Sequence, residues 1–252
     1  MRGFAILATL AACAALCSMA TPAAAQQSLF NVPAGVSTPE GSVFGQEQIN
    51  ITPSGGESNT TLQVGLTPWL EAGLNVFHVT LFQARNVDLA RAAAGPSVLG
   101  NLVATLHPTR FLNLQAGFAA GVGARPVTGD PEPVLSGWAV SRWSAPGHWG
   151  SYVVGGYVGS RGETGDGWHA GALVGFELPL VPERLHLMGD WVVGVNAVGD
   201  VVLGAVAFVG RNFQLSAGAM LPSPGSGNDY GGVIELTWAP EPHETHPFVT
   251  PG

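Results

Sequence analysis

Few residues of this 252-residue chain are of the types and spacings that carry chemistry. His243-Glu244-Thr245-His246 is the densest metal-like group, two imidazoles three positions apart in a Pro-rich stretch with no third ligand near by. Structural and catalytic metal sites need three or more converging ligands, so the pair reads as part of a solvated tail. Asp166 between Gly165 and Gly167 reads as a turn residue rather than a loop cation site. Gly121-Val122-Gly123 lacks the spacing and helix context of a dinucleotide loop. A serine-type hydrolase needs a His and a Ser held together, yet His78 has only Thr80 beside it, and His107 and His169 have no nucleophile at hand. Both cysteines, Cys13 and Cys17, fall in a leader-like stretch, which leaves no thiolate. No catalytic residue, no metal and no cofactor are expected, and the chain is not expected to be an enzyme.

The informative polar residues recur at period two. Glu71, Asn75, Asn113, Gln115, Glu177, Asp190, Gln214 and Glu235 each share a parity with polar or small neighbours and oppose apolar ones; Gln63, Asn101, Thr105 and His169 extend the set. In residues 112–118, Leu112, Leu114, Ala116 and Phe118 oppose Asn113, Gln115 and Gly117. Such residues are candidates for lining a water-filled lumen, where polar groups need water or one another. Glu71, Glu177, Asp190 and Glu235 against Arg184 predict a cation-leaning interior.

The elements that must carry this face are strands. Charged residues are 10% of the chain against 46% hydrophobic, with 36 Gly and 19 Pro, where a soluble domain carries about 25% charged residues. The net charge of −8 excludes a nucleic-acid partner, because no basic cluster exists to neutralise phosphates. Arg2, the apolar run Phe4 to Leu16 and Ala23-Ala24-Ala25 predict a signal peptide over 1–25. A periplasmic N-terminal segment (26–42), a barrel (43–238) and a C-terminal tail (239–252) are expected to follow. Strands are predicted at 43–51, 59–67, 69–79, 97–107, 110–119, 134–143, 149–159, 168–177, 183–193, 200–209, 211–220 and 230–238, each about the ten residues a tilted membrane strand needs. The sixth, seventh and tenth are apolar on both parities, and Glu47 shares a parity with Val43, Ile49 and Ile51, which predicts a bulge or a misassigned face. Short links alternate with long ones (52–58, 80–96, 120–133, 160–167, 221–229), 194–199 excepted, and the long 80–96 link carries a helix-prone stretch, 87–94, suited to narrowing a mouth. Trp69, Trp138, Trp143, Trp149, Trp168 and Trp238 fall near strand ends, as membrane-interface aromatics do. The fold class is therefore all-β: an antiparallel up-and-down transmembrane barrel of twelve strands.

Leu29-Phe30-Asn31-Val32-Pro33-Ala34-Gly35, Gln46-Glu47-Gln48-Ile49-Asn50, Ser58-Asn59-Thr60-Thr61-Leu62 and Trp69-Leu70-Glu71-Ala72-Gly73-Leu74-Asn75-Val76 resemble small bacterial outer-membrane barrels of the transporter or porin-like, meta-pathway phenol-degradation type. The resemblance covers residues 29–79 and supplies no catalytic residues. It implies a Gram-negative outer membrane, with the lipid, the barrel-assembly machinery and small solutes as partners. One departure is the tail after Trp238, where such barrels commonly end on an aromatic residue; Ile234 to Trp238 would then act as an internal assembly signal. A narrow passive channel for small neutral or cationic solutes is the expected function. A closed barrel with a structural or surface-recognition role is the alternative, and a secreted β-sandwich the third.

Overall fold

The computed structural model describes residues 28–84, 92–145, 149–182, 184–209 and 212–239. The leader (1–25), His243 to His246, residues 240–252 of the tail and 87–91 of the helix-prone stretch lie outside them. Twelve strands follow in order: β1 Val43–Thr52, β2 Gly55–Thr67, β3 Leu70–Gln83, β4 Ser97–Thr109, β5 Leu112–Ala124, β6 Pro131–Ser144, β7 Ser151–Gly159, β8 Ala170–Val181, β9 Leu185–Val193, β10 Asp200–Val209, β11 Phe213–Pro222 and β12 Gly231–Trp238. A single helical turn, α1 (Arg161–Thr164), lies between β7 and β8. Each strand pairs antiparallel with its chain neighbours, and β12 closes on β1 with Ile49 opposite Ile234, so the sheet is one barrel and not a sandwich.

Alternation sorts the side chains. Every strand turns an apolar residue outward, among them Ile51, Leu62, Leu74, Leu102, Phe118, Leu135, Val154, Val174, Trp191, Leu203, Leu215 and Ile234, all exposed. An apolar surface that encircles the molecule is far larger than a water-facing monomer tolerates and suits hydrocarbon. Closure leaves no unpaired strand edge in that solvent.

Two of the links expected to be long are shorter: β5 and β6 extend into 120–133 and leave 125–130, and the first link closes further still. The link between β1 and β2 is a tight turn at Pro53-Ser54, with Thr52 opposite Gly55. Glu57 and Ser58, polar residues that looked like loop, pair with Asn50 and Ile49 instead. Glu47 needs no bulge in its own strand, whose register with both neighbours is continuous. It points outward, its carboxylate taking hydrogen bonds from the Ser58 and Thr60 hydroxyls, which offsets the cost of a charge on that face. One of the register shifts between β2 and β3 is a bulge in β3 where Phe77 and His78 together oppose Asn59; the Asn59 Oδ1 accepts the His78 N–H at 2.8 Å, and His78 has φ of 57°.

Candidate functional site: the barrel lumen

All eight polar residues expected to line the interior face inward. Glu71, Asn75, Gln115, Glu177, Asp190, Gln214 and Glu235 are buried, and Asn113 donates from Nδ2 to the Gly35 carbonyl at 3.0 Å. Gln63, Asn101 and Thr105 join them. His169 does not: it is exposed in the β7–β8 loop, 2.7 Å from the Thr164 hydroxyl. Arg184 is not the interior cation, since it sits in the β8–β9 turn, where its N–H bonds the Val181 carbonyl. The arginine on the inner wall is Arg142, which lies in the sixth segment, where apolar residues of both parities blurred the faces. Its guanidinium lies 3.6 Å from the Glu177 carboxylate and donates to the Ala34 carbonyl at 3.3 Å. Glu177 also bonds His186 Nδ1 at 2.7 Å.

The lumen is occupied by the chain itself. Residues 28–42, expected on the periplasmic side, run inside the wall. Thr38 donates its N–H to Glu71 Oε2 at 2.6 Å, the Val36 carbonyl takes Gln115 Nε2 at 3.0 Å, and the segment turns back on itself with Ser28 bridged to Pro33. At the turn, one oxygen of Asp190 accepts the N–H groups of Asn31 (2.6 Å) and Val32 (2.9 Å), while Asn31 Nδ2 donates to both Asp200 oxygens at 3.1 Å. Leu29, Phe30 and Val32 are fully buried against Val140, Val153, Leu173, Met188, Val202, Val206 and Phe208. This apolar inner patch is the reason that the sixth, seventh and tenth segments read as apolar on both faces: one side meets lipid, the other meets the N-terminal plug. The wall makes room for it with glycine, since a Cβ on Gly175 would stand 2.1 Å from Leu29 Cδ1.

Beside the plug tip a cavity of about 320 Å³ remains, with Phe30 and Asn31 on one side of it and Gln48, Glu57, His78, Asn101, Trp138 and Asp200 among the rest of its lining. Loop elements narrow its far end. Ala94 is buried and donates its N–H to the Gly162 carbonyl of α1, and Glu163 of α1 reaches the cavity. Burial pushes the Glu163 carboxyl above its ordinary range, with His78 pulling the other way.

Five of the six aromatic residues expected at membrane interfaces are exposed: Trp69, Trp143, Trp149, Trp168 and Trp238. Trp138 is the exception. It faces the lumen, packs against the apolar inner patch and lies across Gly117, where an added Cβ would be 2.4 Å from the indole. A glycine directly opposite a tryptophan on a paired strand was the signal that sequence reasoning passed over.

Fold and lumen together define a closed twelve-stranded barrel of the outer-membrane type. The solved structure titled "KdgM porin in complex with disordered oligogalacturonate" is similar at a TM-score of 0.53, over 78% of this chain and 98% of that one, with 6% identity. LpxR from Salmonella typhimurium superposes more loosely, at a TM-score of 0.46 over 79% of this chain and 100% of that one, with 9% identity. At these identities the likeness is one of fold. No protein-family description and no curated protein matches the chain.

Proposed function

We propose that the protein is an outer-membrane barrel that works as a narrow passive channel for small neutral or cationic solutes, without an enzymatic step. The observation that carries this reading is the charge of the inner wall. Glu57, Glu71, Glu177, Asp190, Asp200 and Glu235 face the lumen, and among the described residues Arg142 is the one arginine there, beside Glu177. Rings of one sign select the opposite sign in a pore. An acidic oligosaccharide such as the oligogalacturonate of the KdgM complex would meet repulsion at this wall. Twelve strands lie between the side-chain-filled barrels of about eight and the open porins of about sixteen, which leaves space for a narrow path once residues 28–42 move aside.

The supposed partners follow from the surface. The apolar exterior meets lipid, and Ile234 to Trp238, ending β12 on a half-exposed indole, supplies an aromatic signal for the assembly machinery. The residues of 29–79 support a place near the transporter or porin-like barrels of the meta-pathway phenol-degradation type. The plug favours a second reading, a closed barrel with a structural or surface-recognition role.

Single-channel recording of the refolded mature protein (26–252) in a planar bilayer separates the two. Discrete steps with cation preference are expected. Verified insertion with no steps, both for this protein and for a variant with a weakened plug, would overturn the channel.

A further inference from the structure

The cavity beside the plug is acidic. Its lining includes the carboxylates Glu57, Glu71, Glu163 and Asp200 and no arginine, with His78 held 3.1 Å from Glu57. Gln115, also in the lining, carries an acceptor without a partner. Gln115 is buried, and its Nε2 is spent on the Val36 carbonyl and on Thr105 Oγ1, both at 3.0 Å. A carbonyl can only accept, so the amide cannot be turned the other way, and Gln115 Oε1 is left without a partner. Asn101 Nδ2 donates to Asn75 Oδ1 at 2.9 Å, a pair of side-chain amides that can exchange donor and acceptor by turning together. No buried side-chain nitrogen among the described residues is without a partner. A buried acceptor without a donor costs free energy, and carboxylates without an arginine favour a cation, so a ligand that brings N–H groups carrying positive charge answers both.

Two aromatic rings complete the lining. Trp138 lies across Gly117, and Tyr157 lies across Gly171, where an added Cβ would be 2.6 Å from the ring. Trp138 and Tyr157 are directly paired across β6 and β7, so the rings are neighbours on one wall of the cavity. Each ring uses the space of a missing side chain to lie flat on the wall. Aromatic faces beside carboxylates are the chemistry that recognises an organic cation.

We propose that this cavity is a binding site for a small organic ammonium ion, held by the Glu57 and Asp200 carboxylates and the Gln115 amide oxygen, against the faces of Trp138 and Tyr157. The site rests on reading the lumen as a solute path and narrows the solutes from neutral or cationic to amines. Its volume of about 320 Å³ is at the small end for ligand cavities and admits a small diamine such as 1,4-diaminobutane together with water.

The test is binding, independent of conduction. The folded protein in detergent micelles is titrated with 1,4-diaminobutane, with 1,4-butanediol as the neutral match and with KCl at equal ionic strength, by calorimetry and by tryptophan emission. Saturable binding of the diamine alone is expected. Asp200→Asn and Glu57→Gln, on different strands and each checked for heat-modifiable electrophoretic mobility, should weaken it by about tenfold to a hundredfold, the worth of a hydrogen bond to a charged group. Trp138→Phe should remove most of the emission change while binding persists by calorimetry. Equal binding of the diol, an identical response to KCl, or no binding of the diamine by folded protein would each overturn the site. A protein that binds the diamine and never conducts defeats the channel and leaves the site standing; one that conducts and does not bind it defeats the site alone.

Discussion

Replacing Asp190 with alanine tests whether the plug is what closes the lumen. One carboxylate oxygen takes the Asn31 and Val32 N–H groups at 2.6 and 2.9 Å. Hydrogen bonds to a charged group contribute about 1.5–3 kcal/mol each, so Asp190→Ala removes roughly 3–6 kcal/mol of what holds the tip. Leu29, Phe30 and Val32 remain buried, and each contributes about 1.5–3 kcal/mol on the apolar scale. The variant therefore loosens the plug without expelling it. At about 1.4 kcal/mol per tenfold, the ratio of open to closed should rise by roughly two to four decades, up to saturation. Asp190→Asn keeps an acceptor and loses the charge, so it should fall between. The assay is the fraction of time spent at the conducting level in bilayer recordings, on protein whose folding is confirmed by electrophoretic mobility. A residue that only adds negative charge to a permanently open lumen behaves differently: its loss lowers cation preference and leaves the open fraction unchanged. An open fraction within about threefold of the parent for both variants would refute the reasoning.

Three other perturbations probe separate parts of the molecule. Gly175→Leu forces atoms into space where even a Cβ would stand 2.1 Å from Leu29 Cδ1; overpacking costs about 1–3 kcal/mol, so open bursts should lengthen and Leu29→Ala should partly reverse the effect. Phe118 is exposed at the middle of β5, and Phe118→Arg should destabilise insertion into bilayers by about 2–4 kcal/mol if that face meets lipid; unchanged urea unfolding from vesicles would count against a membrane wall. Glu163, in the α1 turn, has its carboxyl pushed up by burial, so the folded loop binds a proton more tightly than the unfolded one, and the ionised form destabilises the loop as pH rises above the ordinary carboxylate range. Glu163→Gln should slow hydrogen exchange in residues 161–165 near pH 7 relative to the parent, and the difference should vanish at about pH 4; a difference that persists at low pH would show the cause is packing.

The barrel was legible because period two is strict where one face meets lipid and the other meets water or polar groups. Leu70, Ala72 and Leu74 against Glu71, Gly73 and Asn75 set both the strand and its faces, and the structure agrees at every one. Legibility failed where a third surface intervened. Val140, Val153, Val202 and Val206 face inward yet are apolar, because they cover Leu29, Phe30 and Val32; period two alone cannot tell a lumen filled by the chain from one filled by water. The apolar group Leu29-Phe30-x-Val32, following the leader, was the missing half of that pattern. Trp138 was misplaced for a related reason. Indole at a strand end favours an interface, but the glycine across from it, Gly117, opens the opposite side of the wall as a flat seat. At β1 and β2, Glu57 and Ser58 resembled a loop because both faces there are polar: Glu57 lines the cavity, and Ser58 holds Glu47.

Asp200 joins the plug to the cavity, and that fixes the sign of their coupling. Its two oxygens accept from a single neutral donor, Asn31 Nδ2, at 3.1 Å each. An ammonium ion drawn to the same carboxylate offers a charged donor for a neutral one, so ligand and plug compete for Asp200. The coupling is bounded by what the plug gains there, about 1.5–3 kcal/mol for bonds to a charged group, or roughly tenfold to a hundredfold. Linkage is reciprocal for binding equilibria: if diaminobutane loosens the plug by that factor, loosening the plug must tighten diaminobutane by the same factor. Asp190→Ala provides the test, since Asp190 holds the plug through the Asn31 and Val32 N–H groups, while Asp200 takes the Asn31 side chain. Diaminobutane affinity measured by calorimetry should rise in Asp190→Ala, by no more than about a hundredfold. A fall would mean that Phe30 and Asn31, which border the cavity, serve the site as walls, so that ligand and plug support each other and amines would hold the barrel shut.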